Sequence, residues 1–570
     1  MSDDFQVTGN NPAALFTLKV YRGDGMSLLA MNWKAGEPPD DFVGFAIEYK
    51  EPGGSKFFAL TNRLSFPSDV AATGPNKLST RLSPIQKFRW VHFPRNADRP
   101  GDFVYKVTPV FMNPADVLSY GDEQTVAIQL RRETFPGQLN VTFTRGFVSS
   151  QAFVDFYQSA GPISQLLPAK AADGLTFTPT HPKTKAALTW MGFEARAAIL
   201  DVLDKAVADS TAQVRVVAYD LNEPDIVARL EKLGPRLKLI IDNSDDHGAT
   251  GSAENAAEQR LLASAGATNV KRQHMGGLQH NKTIVVDGAG GQFVVCGSTN
   301  FSWRGFFVQS NNAVILQGAS AVAPFAAAFD TYFAETPAHF RQSPSAEWSD
   351  LGLAGIDAKV AFSPHGSSNA LLQKIADDIG DNTTSSLFYS LAFLYQTPGP
   401  VLDAIKTVTL NSERFVYGMS DRRVGGLDIQ KPDGTVNPVF PSALAKKLPA
   451  PFKSEPSGGQ GIRLHHKFVV IDFDQPSARV YLGSYNFSDP ADNDNGENLL
   501  LIRDRRIAVS YLIEAIRLFD HYHFRVTQSE SKKAKKKLEL AKPPRAPGEV
   551  PWWKEYWTVA NKIRDREMFA

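Results

Sequence analysis

The sequence predicts a multidomain chain: an N-terminal all-β sandwich followed by two α/β halves related by a pseudo-twofold axis. Three observations carry this expectation. The 570 residues suffice for two or three domains with ample cores. The hydrophobic pattern changes part-way, from short alternating runs to strands that alternate with helices. One polar pattern then occurs twice, once in each half of the α/β region.

From Phe16 to Leu130 the chain reads as the short runs SLLAMNW, VGFAIEY, KFFAL, KFRWVHF, DFVYKVTPVF and TVAIQL, broken by Pro, Gly and Asp. Such spacing argues for an antiparallel sandwich over residues 1–135. The run from Trp33 through Gly44, Phe45 and Tyr49 resembles the B and C strands of a fibronectin type III domain, with Tyr105 as the F-strand aromatic. Trp33, Trp90 and Tyr105 are expected in its core, and the sandwich outside the catalytic unit. Residues 136–175, with Pro136, Gly137, Gly161, Pro162 and Pro168, read as an irregularly packed connector.

Residues 176–345 form the first half. A helix near Ala195–Ala206 places Ile199, Val202, Leu203 and Ala206 on one face, and strands in QVRVVAY and LKLIID alternate with helices in PDIVARLEKL and AENAAEQRLLASAG. Residues 346–528 repeat the order, with helices in NALLQKIADDI and SYLIEAIRLFDHY and strands in SLFYSLAFLY and RFVYGM. The alternation predicts a mostly parallel sheet with helices on both faces. Between Met419 and Arg463 lies an insertion rich in Pro, Gly and Lys, a lid or a tolerated surface loop. The tail, 529–570, holds Lys532, Lys533, Lys535, Lys536 and Lys537, then Trp552, Trp553 and Trp557. Its lysines read as a solvated helix face or tether, with contact to an anionic membrane as the alternative.

Composition narrows the function. With 61 basic and 60 acidic side chains the net charge is +1, less than a globally basic nucleic-acid binder would carry. The single cysteine, Cys296, excludes an internal disulfide and sits in an apolar run expected to be a buried strand. MSDDFQVTGN lacks the pattern of a signal peptide and no segment has the apolar length of a membrane span, so a cytoplasmic protein is expected, with export by a signal-independent route left open.

The repeated pattern is HxKxxxxD followed by GSxN. His280, Lys282 and Asp287 precede Gly297, Ser298 and Asn300; His465, Lys467 and Asp472 precede Gly483, Ser484 and Asn486. First His and last Asn are 20 residues apart in one copy and 21 in the other. A phosphodiester repels attacking oxyanions, so its cleavage needs charge neutralisation, a nucleophile and a proton for the leaving group. Lys282 and Lys467 can hold the nonbridging oxygens, Asn300 and Asn486 can donate amide N–H groups, and Ser298 and Ser484 can add hydroxyl contacts. Histidine is neutral often enough near pH 7 to attack and protonated often enough to donate, and two can divide the work. Asp287 and Asp472 are expected to orient structure. His274 and His466 fall outside the pattern, and strand alternation turns His466 away from the side His465 faces.

These paired motifs resemble the phospholipase D superfamily, over roughly residues 176–525. The resemblance implies two facing half-domains with the site at their junction, a covalent phosphohistidine on one histidine, and general acid/base work by the other without a metal or other cofactor. Glu497 stands eleven residues after Asn486, where the first copy has Asn311 eleven after Asn300. In the related tyrosyl-DNA phosphodiesterases the second-half acidic residue supports the first-half nucleophile. That implies His280 as nucleophile paired with Glu497, and His465 as general acid/base paired with Asn311. The expected substrate is a glycerophospholipid, hydrolysed or transferred to another alcohol. A nuclease or other DNA or RNA phosphodiesterase is the alternative, and an inactive binding protein, with the sandwich as its interaction module, the remote one.

Overall fold

The computed structural model describes residues 5–67, 78–94, 96–130, 133–146, 153, 156–334, 337–421, 464–533, 535 and 537–570. The insertion expected at 419–463 therefore lies almost wholly outside the described residues. The chain divides into two compact units. One comprises the described residues up to 130 and those from 509 onward; the other comprises those between 133 and 421 and between 464 and 508.

The first unit is all antiparallel β in its N-terminal part. Strands β1 (Gln6–Thr8), β2 (Phe16–Arg22), β3 (Ser27–Trp33), β4 (Phe42–Lys50), β5 (Phe58–Ala59), β6 (Arg89–His92), β7 (Asp102–Met112), β8 (Leu118–Tyr120) and β9 (Gln124–Gln129) form two sheets. Their orders are β1-β2-β3-β6 and β5-β4-β7-β8, with β9 also on β7. Alternation decides which face is inside: in β9, Val126 and Ile128 are buried while Thr125, Ala127 and Gln129 are exposed. Phe16, Leu18 and Met31 of one sheet share a single cluster with Phe42, Phe45, Phe103 and Tyr105 of the other, and Trp33 and Trp90 pack there as expected.

The same cluster takes in the end of the chain, against the expectation of a separate tail. Trp553 and Tyr556 are buried in it and Trp552 and Trp557 pack on its edge. Trp552 stacks on Phe88 at 5.4 Å. The three indole N–H groups donate to the backbone carbonyls of Phe42, Pro39 and Gly36 at 3.0, 3.2 and 3.1 Å. Aromatic area with a satisfied polar edge favours this interior, so these tryptophans are not free to face a membrane. Lys535 and Lys537 are exposed; the other lysine side chains of the run lie outside the described residues.

The second unit contains two seven-stranded sheets. The first is built from β10 (Leu139–Phe143), β11 (Gln213–Ala218), β12 (Leu237–Ile241), β13 (Val270–Arg272), β14 (Lys282–Gly288), β15 (Gly291–Gly297) and β16 (Asn312–Gln317). The second uses β17 (Ser349–Asp350), β18 (Asp357–Ser363), β19 (Ser386–Leu391), β20 (Phe415–Met419), β21 (Lys467–Ile471), β22 (Arg479–Gly483) and β23 (Glu497–Arg503). The orders are β10-β16-β15-β14-β11-β12-β13 and β17-β18-β23-β22-β21-β19-β20, so the core of each sheet repeats the same connectivity.

Two expectations are corrected here. The sheets are mixed and mainly antiparallel, not mostly parallel: only β11-β12-β13 and β19-β20, where helices cross over, run parallel. Each motif folds as an antiparallel pair, β14 on β15 and β21 on β22, which needs only a short turn. Leu139–Phe143, inside the stretch expected as an irregular connector, pairs with β16 at the sheet edge because Leu139, Val141 and Phe143 are buried. The helices form where the periodicity places them. Thr184–Ala208 buries Ile199, Val202, Leu203 and Ala206, and Pro224–Leu233 starts with Pro at its first turn and the Glu223 carboxylate accepting from the Ile226 N–H. No helix among the described residues is long and apolar enough to cross a membrane.

Candidate active site

Two backbone bridges set the site. Gln279 bridges Gly496, and Leu464 bridges Ser310, each in parallel sense. The residues that follow are His280 opposite Glu497 and His465 opposite Asn311, so each histidine is delivered to the partner carried by the other sheet. His280 Nδ1 lies 2.7 Å from Glu497 Oε2 and His465 Nδ1 lies 2.8 Å from Asn311 Oδ1, all four side chains buried. The imidazole ring centres are 6.4 Å apart. With Nδ1 engaged in each ring, Nε2 is left for chemistry.

The glycines of the GSxN stretches allow close strand approach. Gly483 has φ of +146°, and a Cβ there would sit 2.2 Å from the Asn498 carbonyl oxygen. Lys282 and Lys467 are buried, and each ammonium donates to the carbonyl of its own histidine residue, Lys467 at 2.9 Å. Lys282 lies over the Tyr219 ring at 4.6 Å and Lys467 over Phe393 at 5.2 Å. Asn300 donates to Asp220 at 2.8 Å, and the Oδ1 atoms of Asn300 and Asn486 are buried without a partner.

The two serine hydroxyls are tied to the asparagines behind the histidines. Ser298 Oγ donates to Asn311 Oδ1 at 2.9 Å, and Ser484 Oγ accepts from the Asn498 N–H at 3.0 Å. Both are fully buried, so they fix the residues behind the histidines. Asp472 accepts from the backbone N–H groups of Thr384, Ser385 and Ser386 at 3.0, 2.7 and 3.1 Å, which anchors the start of β19. Asp287 accepts from Gln292 at 2.8 Å across the hairpin. His466 is buried between Phe143 and Phe468, away from the site, and His274 bonds Asn243 near the surface.

Electrostatically the site is short of negative charge. Burial, with Lys282 and Lys467 beside it, lowers the His280 imidazole to about 4 despite the Glu497 carboxylate. Burial lowers Lys282 to about 7, and pushes Lys467 well below its ordinary value. His465 is likewise held well below, by burial and then by Lys467 and Lys282. An anion placed among these four groups would relieve the strain on all of them.

Several contributors escape the motif. Tyr219 packs on His280, with ring centres 4.7 Å apart. Asp242 and Asp421, which follow β12 and β20, accept the backbone N–H groups of Gln279 and Leu464 at 2.7 and 3.0 Å and so fix the residue before each histidine. His247 lies between Asp220 and Asp242. Only the repetition of Asp after the second strand of each half was a sequence signal for any of these.

Residues 201–334, the stretch that carries β11–β16 and the first motif, match the family model described as cardiolipin synthase, PLD-like domain. These residues are similar to a phospholipase D-like domain. A phospholipase D of Rickettsia prowazekii (strain Madrid E) is 46% identical over 48 residues, 8% of this chain and 22% of that protein. The chain thus spans about a fifth of the length of the curated relatives it matches. Among solved structures, phosphatidylserine synthase of Haemophilus influenzae Rd KW20 aligns over 60% of this chain and 92% of its own, with 13% identity and a TM-score of 0.40. Yeast tyrosyl-DNA phosphodiesterase aligns over 52% of this chain and 84% of its own, with 12% identity and a TM-score of 0.28. His280 lies just before β14, Lys282 begins it and Asn300 lies just after its antiparallel neighbour β15, so the three meet at one end of this strand pair.

Proposed function

We propose that the protein is a phosphoric diester hydrolase of the phospholipase D type, acting on glycerophospholipids through a phosphohistidine and able to pass the phosphatidyl group to an alcohol. The observation that carries the reading is the crossed pairing of the two motifs, His280 with Glu497 and His465 with Asn311, at a ring separation one phosphoryl group can occupy. In this reading the two sheets of the second unit are pseudo-twofold halves, and the N-terminal β-sheets of the first unit are a fibronectin type III-like sandwich.

Lys282, Lys467 and the amides of Asn300 and Asn486 hold the nonbridging oxygens. His280 Nε2 attacks phosphorus, the bond from phosphorus to the leaving oxygen breaks, and His465 Nε2–H gives that oxygen its proton. The phosphorylated imidazole is cationic, so the Glu497 carboxylate at Nδ1 stabilises it. Asn311 orients His465 without adding charge, which leaves His465 able to release its proton. Water or an alcohol then loses a proton to His465 and attacks phosphorus, freeing His280. The charge of the bound diester restores protons to His465 and the lysines, whose affinity for them is low in the free site. Each step is served by a side chain of the site, so no metal is required.

The test is the purified protein beside its His280→Ala variant, in chelator, with mixed phospholipid vesicles and a short alcohol, and separately with single- and double-stranded DNA. Headgroup release with formation of the phosphatidyl alcohol, absent in the variant, is the expected result. DNA cleavage with untouched vesicles would make the enzyme a nuclease instead.

A further inference from the structure

We propose that Asp220 and His247 act as a positioning pair for the first motif, fixing the phosphate-binding amide of Asn300 and, through Asp242, the backbone that carries His280. The inference rests on the reading of the site as a phosphodiesterase. Asp220 follows β11, whose Ala218 lies opposite Lys282. One oxygen of Asp220 accepts from Asn300 Nδ2 at 2.8 Å, and the other lies 2.9 Å from His247 Nε2. His247 Nδ1 lies 2.8 Å from Asp242 Oδ2, and Asp242 Oδ1 accepts the Gln279 N–H at 2.7 Å. The chain of bonds runs unbroken from the amide that would hold phosphate to the residue before the nucleophile.

Chemistry fixes the direction of each bond. A histidine with a carboxylate on both ring nitrogens donates from both, and is therefore an imidazolium. A carboxylate can only accept, so Asp220 forces Asn300 to present Nδ2 and leaves its second Nδ2 proton for an anion. Asp220 alone would place a negative charge beside bound phosphate; the His247 imidazolium, shared with Asp242, offsets it together with Lys282 and Arg304. Burial alone would lower His247, but Asp220 and Asp242 raise it to about 10. Tyr219 completes the packing, its ring 4.4 Å from His247 and 4.7 Å from His280.

Among the described residues the second half shows no counterpart. Leu391 is the residue opposite Lys467, and it is followed by Ala392 and Phe393 where Ala218 is followed by Tyr219 and Asp220. Among the described residues no carboxylate takes the amide of Asn486. The pair thus distinguishes the half with the proposed nucleophile. Asp220, His247 and Glu254 also lie within ligating reach of one cation. Glu254 however accepts the Leu221 N–H at 3.1 Å, and both His247 nitrogens already face carboxylates.

The experiment measures kcat and KM of the full chain on bis(p-nitrophenyl) phosphate for wild type, Asp220→Asn, Asn300→Ala, His247→Gln and the doubles D220N/N300A and D220N/H247Q, with melting temperatures as the check on folding. D220N is expected to lose about 10- to 100-fold in kcat/KM. D220N/N300A should be no worse than N300A, because Asp220 acts through that amide. H247Q should raise KM more than it lowers kcat, and adding D220N should bring KM back down by removing the bare charge. Losses that multiply in D220N/N300A, or a KM in D220N/H247Q no lower than in H247Q, overturn the inference. Nitrogen-15 NMR of wild type at pH 7 gives a reading that needs no variant: an imidazolium at His247 supports the pair and a neutral ring overturns it. Stoichiometric zinc or manganese on the wild type, absent from H247Q, also overturns it. Turnover by wild type with D220N unchanged defeats the positioning pair alone, whereas a wild type without phosphodiesterase activity defeats the reading of the site and the inference together.

Discussion

Glu497→Gln removes one charge and keeps the shape of a fully buried side chain whose carboxylate lies 2.7 Å from His280 Nδ1. A hydrogen bond to a charged group contributes about 1.5–3 kcal/mol, and here both partners are shielded from solvent. The charge matters most when the imidazole becomes cationic on attacking phosphorus, so the loss falls on the transition state. At about 1.4 kcal/mol per decade this gives a fall of about 10- to 150-fold in the rate of phosphoenzyme formation. Asn311→Ala disturbs His465 instead, so it should slow leaving-group protonation and turnover of the intermediate, with the proton-dependent limb of the rate profile displaced. Rapid-quench kinetics on a chromogenic diester resolves the two. A Glu497→Gln burst rate within threefold of wild type, with a fold as stable, would refute the view that the carboxylate serves the nucleophile.

Further outcomes follow from burial and charge. Lys282 is lowered to about 7 by burial, and Lys467 and His465 are also depressed, so binding of phosphate or vanadate near neutral pH should take up protons; calorimetry in buffers of different ionisation enthalpy reads the number, and proton release would contradict the picture. His280 folds with a value of about 4, below the ~6.5 of an unfolded histidine, so the native state holds fewer protons between these limits. Its contribution is therefore neutral above about 6.5 and destabilising as pH falls toward about 4, and His280→Asn should flatten that part of the denaturation profile. Trp553→Ala leaves a void in the core of the first unit and should cost about 3–5 kcal/mol of that unit's stability by denaturant unfolding; a variant as stable as wild type would show that the tail is not part of that core.

How much of this was legible in the sequence depends on the range of the signal. The HxK and GSxN spacings are local, so they reveal His280, His465 and both lysines, and the eleven-residue offset reveals Glu497 and Asn311, which the structure brings to the two histidines. The bonds of the two serines to Asn311 and Asn498 were not legible, because they depend on strands paired at a distance. The strand, turn and second strand of each motif are legible in its two β-branched runs and form the antiparallel pairs β14–β15 and β21–β22, but alternation of strands and helices reports crossovers only and overstates the parallel share of each sheet. Asp220 and His247 belong to no repeated spacing, since Asp220 follows β11 and His247 sits in the short helix Asp245–Gly248 beyond β12. Trp552, Trp553 and Trp557 carry the same aromatic signature whether they meet a membrane or a β-sheet core, and only the fold decides.

The most direct test of the central claim is to quench the reaction of the His465→Asn variant with a chromogenic phosphodiester at alkaline pH, where a phosphoramidate survives, and map the modified peptide by mass spectrometry. The account predicts one phosphoryl adduct, on His280, formed with stoichiometric release of the first leaving group. An adduct on His465 in the reciprocal His280→Asn variant and none on His280, or steady turnover with no adduct on either histidine, would contradict it.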